Sequence, residues 1–177
     1  MDERNLAQLA VSGDRQAFGE LVQIHQAGVY NVAYRMLGER RDAEDAAQEA
    51  FIRAFRSIRS LDPDRSAGPW LKKIAVNICL NRLERRETSP LDEEGPPETD
   101  RQNPGPESQA IQRETGRQVR EALLSLPPRY RAAIELRHFQ ELSYDEIAAA
   151  LDRPLSDVKS DLFRARKLLA ERLKKIA

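Results

Sequence analysis

The chain has 177 residues, with 29 basic and 29 acidic side chains, so its formal net charge is zero. A neutral chain is not expected to coat nucleic acid non-specifically over its whole surface. No long apolar run or signal-like N-terminus is present, which argues against membrane insertion. A lone cysteine, Cys79, rules out an internal disulfide and suits a reducing compartment, so we expect a cytoplasmic protein.

Charge is unevenly distributed along the chain. Residues 88–111 contain five prolines, six acids and one base, whereas residues 112–177 contain fourteen bases and ten acids. A proline-rich acidic stretch cannot bury enough apolar surface to order itself, so 88–111 is predicted to be a flexible linker. We therefore expect two domains, 1–87 and 112–177.

Two helices are predicted between residues 4 and 37, separated by Ser12-Gly13-Asp14. Asp14 is a good cap for the second helix, and Gly38 is placed to end it in a left-handed conformation. His25 lies beside the apolar stripe with no second ligand nearby in sequence. It is expected to be a partly buried structural residue rather than a metal ligand.

A third helix is predicted from Asp42, which we expect to be its N-cap. Alanines supply a packing side, and the polar side carries Asp45, Gln48, Glu49 and Arg53. Three interpretations remain open: a solvated face, a magnesium site using Asp42, Asp45 and Glu49, or a docking surface for a protein partner. No second acidic helix with matching spacing supports the magnesium site.

A polar loop, residues 61–69, leads to a helix that is expected to begin at Pro69. Its exposed side is rich in amides and bases that suit contacts with DNA bases and phosphates: Lys72, Lys73, Asn77, Asn81 and Arg82. Trp70 is either a core anchor, which is slightly favoured, or a stacking surface for an unpaired base.

The C-terminal region predicts a helix-turn-helix. After an amphipathic helix and the Pro127-Pro128 helix start, Ser143 and Glu146 form a capping-box pattern, and Asp152-Arg153-Pro154 ends the short helix. A second helix is capped by Ser156 or Asp157; it buries Val158, Leu162, Ala165 and Leu169, and it exposes Lys159, Ser160, Arg164 and Lys167. The alternative is an ordinary helical hairpin with a solvated charged face. The predicted fold class is all-α, with two small helical domains.

Taken in order, these segments resemble the extracytoplasmic-function sigma factors of bacterial RNA polymerase. The matching segments are Gly13–Phe18, Val29–Ala33, Asp42–Asp45, Gln48–Phe51, Trp70–Asn77, Leu126–Arg129, Leu142–Ile147, Val158–Ser160 and Arg164–Arg166. The resemblance covers nearly the whole chain except the acidic linker.

The resemblance implies a promoter-recognition subunit with no catalytic activity, no cofactor and no metal. Its partners would be core RNA polymerase, promoter DNA and an anti-sigma factor. Asp42, Asp45, Gln48, Glu49 and Arg53 would contact the polymerase. The −10 element would be recognised and melted by Trp70, Lys72, Lys73, Asn77, Asn81 and Arg82. The −35 element would be read by Ser156, Asp157, Lys159, Ser160, Arg164 and Lys167.

The chain departs from the family pattern at several positions. Ser156-Asp157 replaces a common Gly-Thr, and Asp152 replaces a frequent turn glycine. Asp161 replaces an arginine, which predicts either an unusual −35 preference through cytosine's amino group or a neutral, outward-facing side chain. Ala67-Gly68 stands where aromatic residues are common in the loop before Trp70. The competing function is a stand-alone helix-turn-helix regulator.

Overall fold

Eight α-helices are present in the described part of the chain, residues 1–88 and 107–176 of a computed structural model. They are α1 (Glu3–Val11), α2 (Arg15–Leu37), α3 (Arg40–Arg56), α4 (Ala67–Thr88), α5 (Glu107–Leu124), α6 (Pro128–Ile134), α7 (Tyr144–Leu151) and α8 (Leu155–Ile176). A 3₁₀ turn (Ile58–Ser60) follows α3, and a π-helical turn (Glu135–Phe139) continues α6. These ranges contain no strand, and the all-α fold class is confirmed. None of their helices is long and apolar enough to cross a membrane.

Both ends of α2 follow the predicted capping rules. Asp14 accepts a hydrogen bond from the Ala17 N–H (3.2 Å), which satisfies a donor that the first turn of α2 leaves unpaired. Gly38 ends α2 with φ +78°, a conformation that costs glycine little. The His25 ring donates from Nε2 to Glu3 Oε1 (2.8 Å) and is half-buried, as expected for a structural histidine.

The predicted starts of α3 and α8 are wrong by a few residues. α3 begins at Arg40, so Asp42 lies in its first turn and pairs with Arg86 of α4 (2.6 Å) instead of capping. α8 begins at Leu155, which places Ser156 and Asp157 inside its first turn. Residues 107–111, assigned to the linker, already belong to α5. The rest of the predicted linker, 89–106, lies outside the described residues.

α4 begins at Ala67 rather than Pro69 because a distant side chain satisfies its start. Glu3 of α1 accepts hydrogen bonds from the Ala67 N–H (3.1 Å) and from the Ser66 hydroxyl (3.0 Å). Both Ala67 and Gly68 are buried. The pair therefore belongs to the packed start of a helix and does not form an open loop before Trp70.

The helix-turn-helix forms as predicted. Both bonds of the capping box are present, Glu146 N–H to Ser143 Oγ (3.1 Å) and Ser143 N–H to Glu146 Oε1 (3.0 Å). Asp152 ends α7 with φ +52°, which an aspartate tolerates better than most residues. Ile147 of α7 and Val158 of α8 are buried, so the two helices pack through their apolar faces.

The two sets of helices, α1–α4 and α5–α8, meet along α4 and at the C-terminal end of α2. The buried Arg131 donates to four carbonyl oxygens, those of Leu123, Leu124 and Leu126 around the α5–α6 corner and that of Met36 in the last turn of α2. Burial lowers the pKa of the Arg131 guanidinium to about 10, which leaves it protonated at neutral pH.

Gly38→Ala should destabilise the chain, whereas Gly19→Ala should not. An alanine at position 38 would place its Cβ 2.7 Å from Leu124 Cδ1 and would have to keep the positive φ of Gly38. Together these effects should lower the free energy of unfolding by about 2 kcal/mol or more. A Cβ at Gly19, inside α2, meets nothing within 4 Å, so alanine there should stabilise by about 0.5–1 kcal/mol. Urea unfolding of both variants measures the difference. Equal effects would mean that α2 does not end against Leu124 as described.

Candidate nucleic-acid interface

One face of α8 carries all six side chains predicted for the −35 element. Ser156, Asp157, Lys159, Ser160, Arg164 and Lys167 are exposed, whereas Val158, Leu162 and Ala165 are buried on the opposite face. The helical period therefore places short hydroxyls and long cations together on an open surface. Phe163, 71% exposed, lies on the same side and was not predicted. Its position directly after the buried Leu162 could have indicated this exposure, because successive side chains of a helix point in different directions.

Asp161 does not belong to this face, so the predicted outward-facing side chain is wrong, whereas an unusual −35 preference stays a prediction. Its side chain is buried, with only 4% of the residue exposed. Its carboxylate accepts a hydrogen bond from Arg153 of the turn, and Arg129 at the start of α6 lies 3.9 Å away. A carboxylate can be buried when cations pair with it. Asp161 thus ties α8 to the turn and to α6 and cannot reach a cytosine.

A second basic cluster, which the sequence analysis missed, lies where the π-helical turn, α7 and α8 meet. Arg166 donates to His138 Nε2 (3.2 Å) and to the Tyr144 hydroxyl (3.4 Å), and the Arg137 guanidinium lies 4.9 Å from the Tyr144 ring centroid. Burial and the two arginines lower the pKa of His138, and the hydrogen bond from Arg166 lowers the pKa of Tyr144. Arg166 and Arg137 are far apart in sequence, so spacing alone could not group them.

The side chains predicted for the −10 element lie along α4 but differ in availability. Asn81 is exposed, while Lys72 and Lys73 are half-buried. Trp70 is half-buried and packs against the core, which agrees with the favoured core interpretation. Asn77 donates from Nδ2 to the Ala150 carbonyl of α7 (2.9 Å) and to the Lys73 carbonyl (3.2 Å).

The predicted polymerase-binding residues form the outer side of α3. Asp45, Gln48 and Arg53 are exposed. Glu49 bridges Arg53 and Arg82 at 2.7 Å each, so a predicted polymerase residue and a predicted −10 residue are in direct contact.

Two of the three carboxylates considered as magnesium ligands form ion pairs with arginines. Asp42 pairs with Arg86, and Glu49 pairs with two arginines. Within 1–88 and 107–176, no group of three or more acidic, histidine or cysteine side chains could hold a metal ion. Asp42 and Glu49 are therefore already engaged by cations from the chain itself.

Comparisons with known proteins agree with this geometry. The Sigma-70 region 2 family model matches residues 21–88, and the Sigma-70 region 4 model matches residues 116–169. The ECF RNA polymerase sigma factor SigW of Bacillus subtilis is 33% identical over 92% of this chain and 91% of its own length. The chain belongs to the extracytoplasmic-function sigma factors.

Other relatives extend the comparison. SigE of Mycolicibacterium smegmatis, also an ECF RNA polymerase sigma factor, is 40% identical over 93% of this chain, which spans 65% of that protein's length. Among solved structures, CnrH in complex with the cytosolic domain of CnrY is 28% identical, with a TM-score of 0.68 over 99% of each chain. RpoE of Bartonella quintana in complex with the anti-sigma factor NepR has a TM-score of 0.65 at 23% identity and shares the fold.

Within this sigma factor, Asp161→Ala should destabilise far more than Asp157→Ala. Removing the buried carboxylate leaves Arg153 half-buried without its main partner, at a cost of about 2–3 kcal/mol. Asp157 lies 3.5 Å from the same guanidinium but is exposed, so its removal should cost about 0.5 kcal/mol or less. Thermal unfolding compares the two, and a mild Asp161→Ala effect would contradict the anchoring role.

The Glu49 contact predicts a pH dependence. The hydrogen bond from Arg82 lowers the pKa of Glu49 below its usual 4.5. A lowered pKa means that the stabilisation is present above about pH 4.5 and is lost as pH falls through the lower value. The stability difference between the unmodified chain and Glu49→Gln should therefore shrink on acidification. Arg82→Gln should weaken that pH dependence, and a difference that stays constant from pH 6 to 3 would refute the contact.

Proposed function

We propose that the chain directs core RNA polymerase to promoters, with the outer side of α3 contacting the enzyme, α4 the −10 element and α8 the −35 element. The domain division in this proposal is 1–87 and 112–177, and the connecting segment 88–111 includes the first residues of α5. The observation that carries it is the open α8 face, which gathers all six predicted side chains inside a region 4 match that follows a region 2 match.

The α8 face has the chemistry for reading DNA in the major groove. Lys159, Arg164 and Lys167 are long cations suited to phosphates, and Ser156 and Ser160 are short enough to reach base edges. The exposed Phe163 supplies the kind of apolar contact that a thymine methyl group accepts.

The −10 residues act differently, because melting requires capture of unpaired bases. Lys72 and Lys73 provide positive charge beside the amides of Asn77 and Asn81 on α4. Bases held by the protein offset the cost of unstacking the duplex. Polymerase supplies most of the grip on DNA, which is why a chain of zero net charge suffices.

The same proposal covers catalytic activity, cellular location and a third partner. The chain has no catalytic activity of its own and acts in the cytoplasm beside the polymerase. An anti-sigma factor is proposed as a third partner, because the structurally similar RpoE of Bartonella quintana was solved with one.

Lys159→Ala and Arg164→Ala should reduce promoter use without weakening polymerase binding. Loss of a phosphate contact should lower the slope of log affinity against log salt by about 0.9 for a −35 duplex, and we expect run-off transcripts to fall about tenfold. Pull-down with core polymerase should stay within about twofold.

Arg117→Ala is the matched control, because Arg117 pairs with Glu114 and Glu121 on α5, away from the α8 face. It should leave transcription and the salt slope unchanged. Parallel loss of transcription and polymerase binding in Lys159→Ala would contradict the division of roles between α8 and α3.

A further inference from the structure

A cavity of about 310 Å³ lies between α2, α5 and the π-helical turn. Its volume falls at the lower end of the range that is usual for sites that hold small molecules. Asn31, Tyr34 and Arg35 of α2 line it, and so do Gly116 and Arg120 of α5. None of these residues belongs to the predicted contacts with DNA or polymerase, so the cavity has no role in the functions described above.

Several polar groups that line the cavity have no hydrogen-bond partner within the described residues. They include the Tyr34 hydroxyl and the Asn31 amide. Arg35 uses Nε and Nη2 to bind Glu135, at 2.8 Å and 2.7 Å, which leaves its Nη1 without a partner there. The Arg120 guanidinium contacts only the Tyr34 ring, with 5.3 Å to the ring centroid. Polar groups that converge on one hollow without bonding each other are typical of a ligand site.

The charges beside the cavity do not balance. Arg35 is paired with the buried Glu135, so these two side chains are neutral together. Arg120 adds a positive charge that no carboxylate of the described residues compensates. Arg120 is half-buried, so water screens its charge less than it screens the exposed Arg117 of the same helix, which pairs with two carboxylates. The cavity therefore favours a ligand with one negative charge.

The rest of the lining is aromatic and aliphatic. The Arg35 guanidinium lies 4.2 Å from the Phe139 ring centroid, Arg120 lies over the Tyr34 ring, and Val119 adds an aliphatic side chain from α5. A guanidinium that rests on one ring has a second face on which another flat ring can stack, while its N–H groups bind a carboxylate edge-on. A flat ring that carries one carboxylate therefore matches this lining better than an inorganic ion does.

We propose that this cavity is a binding site for a small aromatic carboxylate. Arg120 and Nη1 of Arg35 hold the carboxylate, and the ligand's ring lies among the side chains of Tyr34, Phe139 and Val119. The ligand binds the chain directly, without DNA, polymerase or any other protein. This site goes beyond the proposed function, and the two are tested separately.

The test measures binding of 2-naphthoate to the full chain by calorimetry and by thermal unfolding. Because the ligand binds only the folded chain, a concentration about ten times its Kd should raise Tm by about 3 °C or more. The neutral analogue 2-naphthamide keeps the rings and lacks the charge, and inorganic phosphate keeps a charge and lacks the rings. Each should bind at least about tenfold more weakly than 2-naphthoate, since each loses one of the two kinds of contact.

Arg120→Gln should weaken 2-naphthoate binding at least about tenfold, because it removes the uncompensated charge. The preference for 2-naphthoate over 2-naphthamide should fall by about the same factor, which a purely structural role of Arg120 would not produce. Arg117→Gln is the matched control: it removes an exposed charge from the same helix, so the affinity for 2-naphthoate should stay within about twofold.

Gly116→Leu blocks the cavity while keeping every charge. A Cβ at position 116 would lie 3.9 Å from Arg120 Nη1, which is ordinary van der Waals contact, and the longer side chain would occupy space that the ligand needs. Leucine also suits a helix interior better than glycine does, so the variant should fold. It should weaken 2-naphthoate binding at least about tenfold. Gly19→Leu, at an exposed position of α2 with nothing within 4 Å of its Cβ, should leave binding unchanged.

Three results would overturn the proposal. The first is the absence of both a heat of binding and a rise in Tm with 2-naphthoate at millimolar concentration. The second is unchanged 2-naphthoate affinity in Arg120→Gln or in Gly116→Leu, which would mean that the probe binds elsewhere. The third is phosphate or 2-naphthamide binding as tightly as 2-naphthoate, which would mean that the cavity does not select an aromatic carboxylate.

Discussion

The buried guanidinium of Arg131 is the interaction on which the arrangement of helices most depends. The C-terminal ends of α2 and α5 converge at one point beside the α5–α6 corner, and the last turn of each helix leaves carbonyl oxygens that no intrahelical donor can reach. An arginine offers five donors in a fixed plane, so a single side chain can satisfy four of these carbonyls at once. Without it, the carbonyl oxygens of Leu124, Leu126 and Met36 would lose this donor, and with it the polar contact that joins the α5–α6 corner to the end of α2.

Charge serves two separate purposes in this molecule. Asp161, Glu135 and Arg131 are buried, and their partners lie on other elements, so they set how helices sit against one another. Exposed charges on the α8 face, such as Lys159 and Arg164, have no such role and remain available to a ligand. The zero net charge of the whole chain therefore does not describe the local charge of the α8 face, which is the surface proposed to meet DNA.

Structural features that depend on residues close in sequence were predictable, whereas features that depend on contacts between residues far apart in sequence were not. The capping box at Ser143 and the left-handed end at Gly38 follow from local backbone needs, and the exposed face of α8 follows from the helical period. Asp161 was placed wrongly because a charged residue is assigned to the surface unless its partners are known, and Arg153 and Arg129 give no spacing signal. The contact of Asn77 with Ala150 joins backbone and side chain 73 residues apart, which no local pattern encodes.

The most direct test of the account is co-elution of the purified chain with bacterial core RNA polymerase, followed by run-off transcription from a genomic fragment library. A promoter-recognition subunit should form a stable complex and produce new, discrete start sites, each preceded by two shared sequence elements. A folded chain, free of any inhibitor, that neither binds core polymerase nor directs new transcripts would contradict the account. It would then favour a regulator that binds DNA without polymerase.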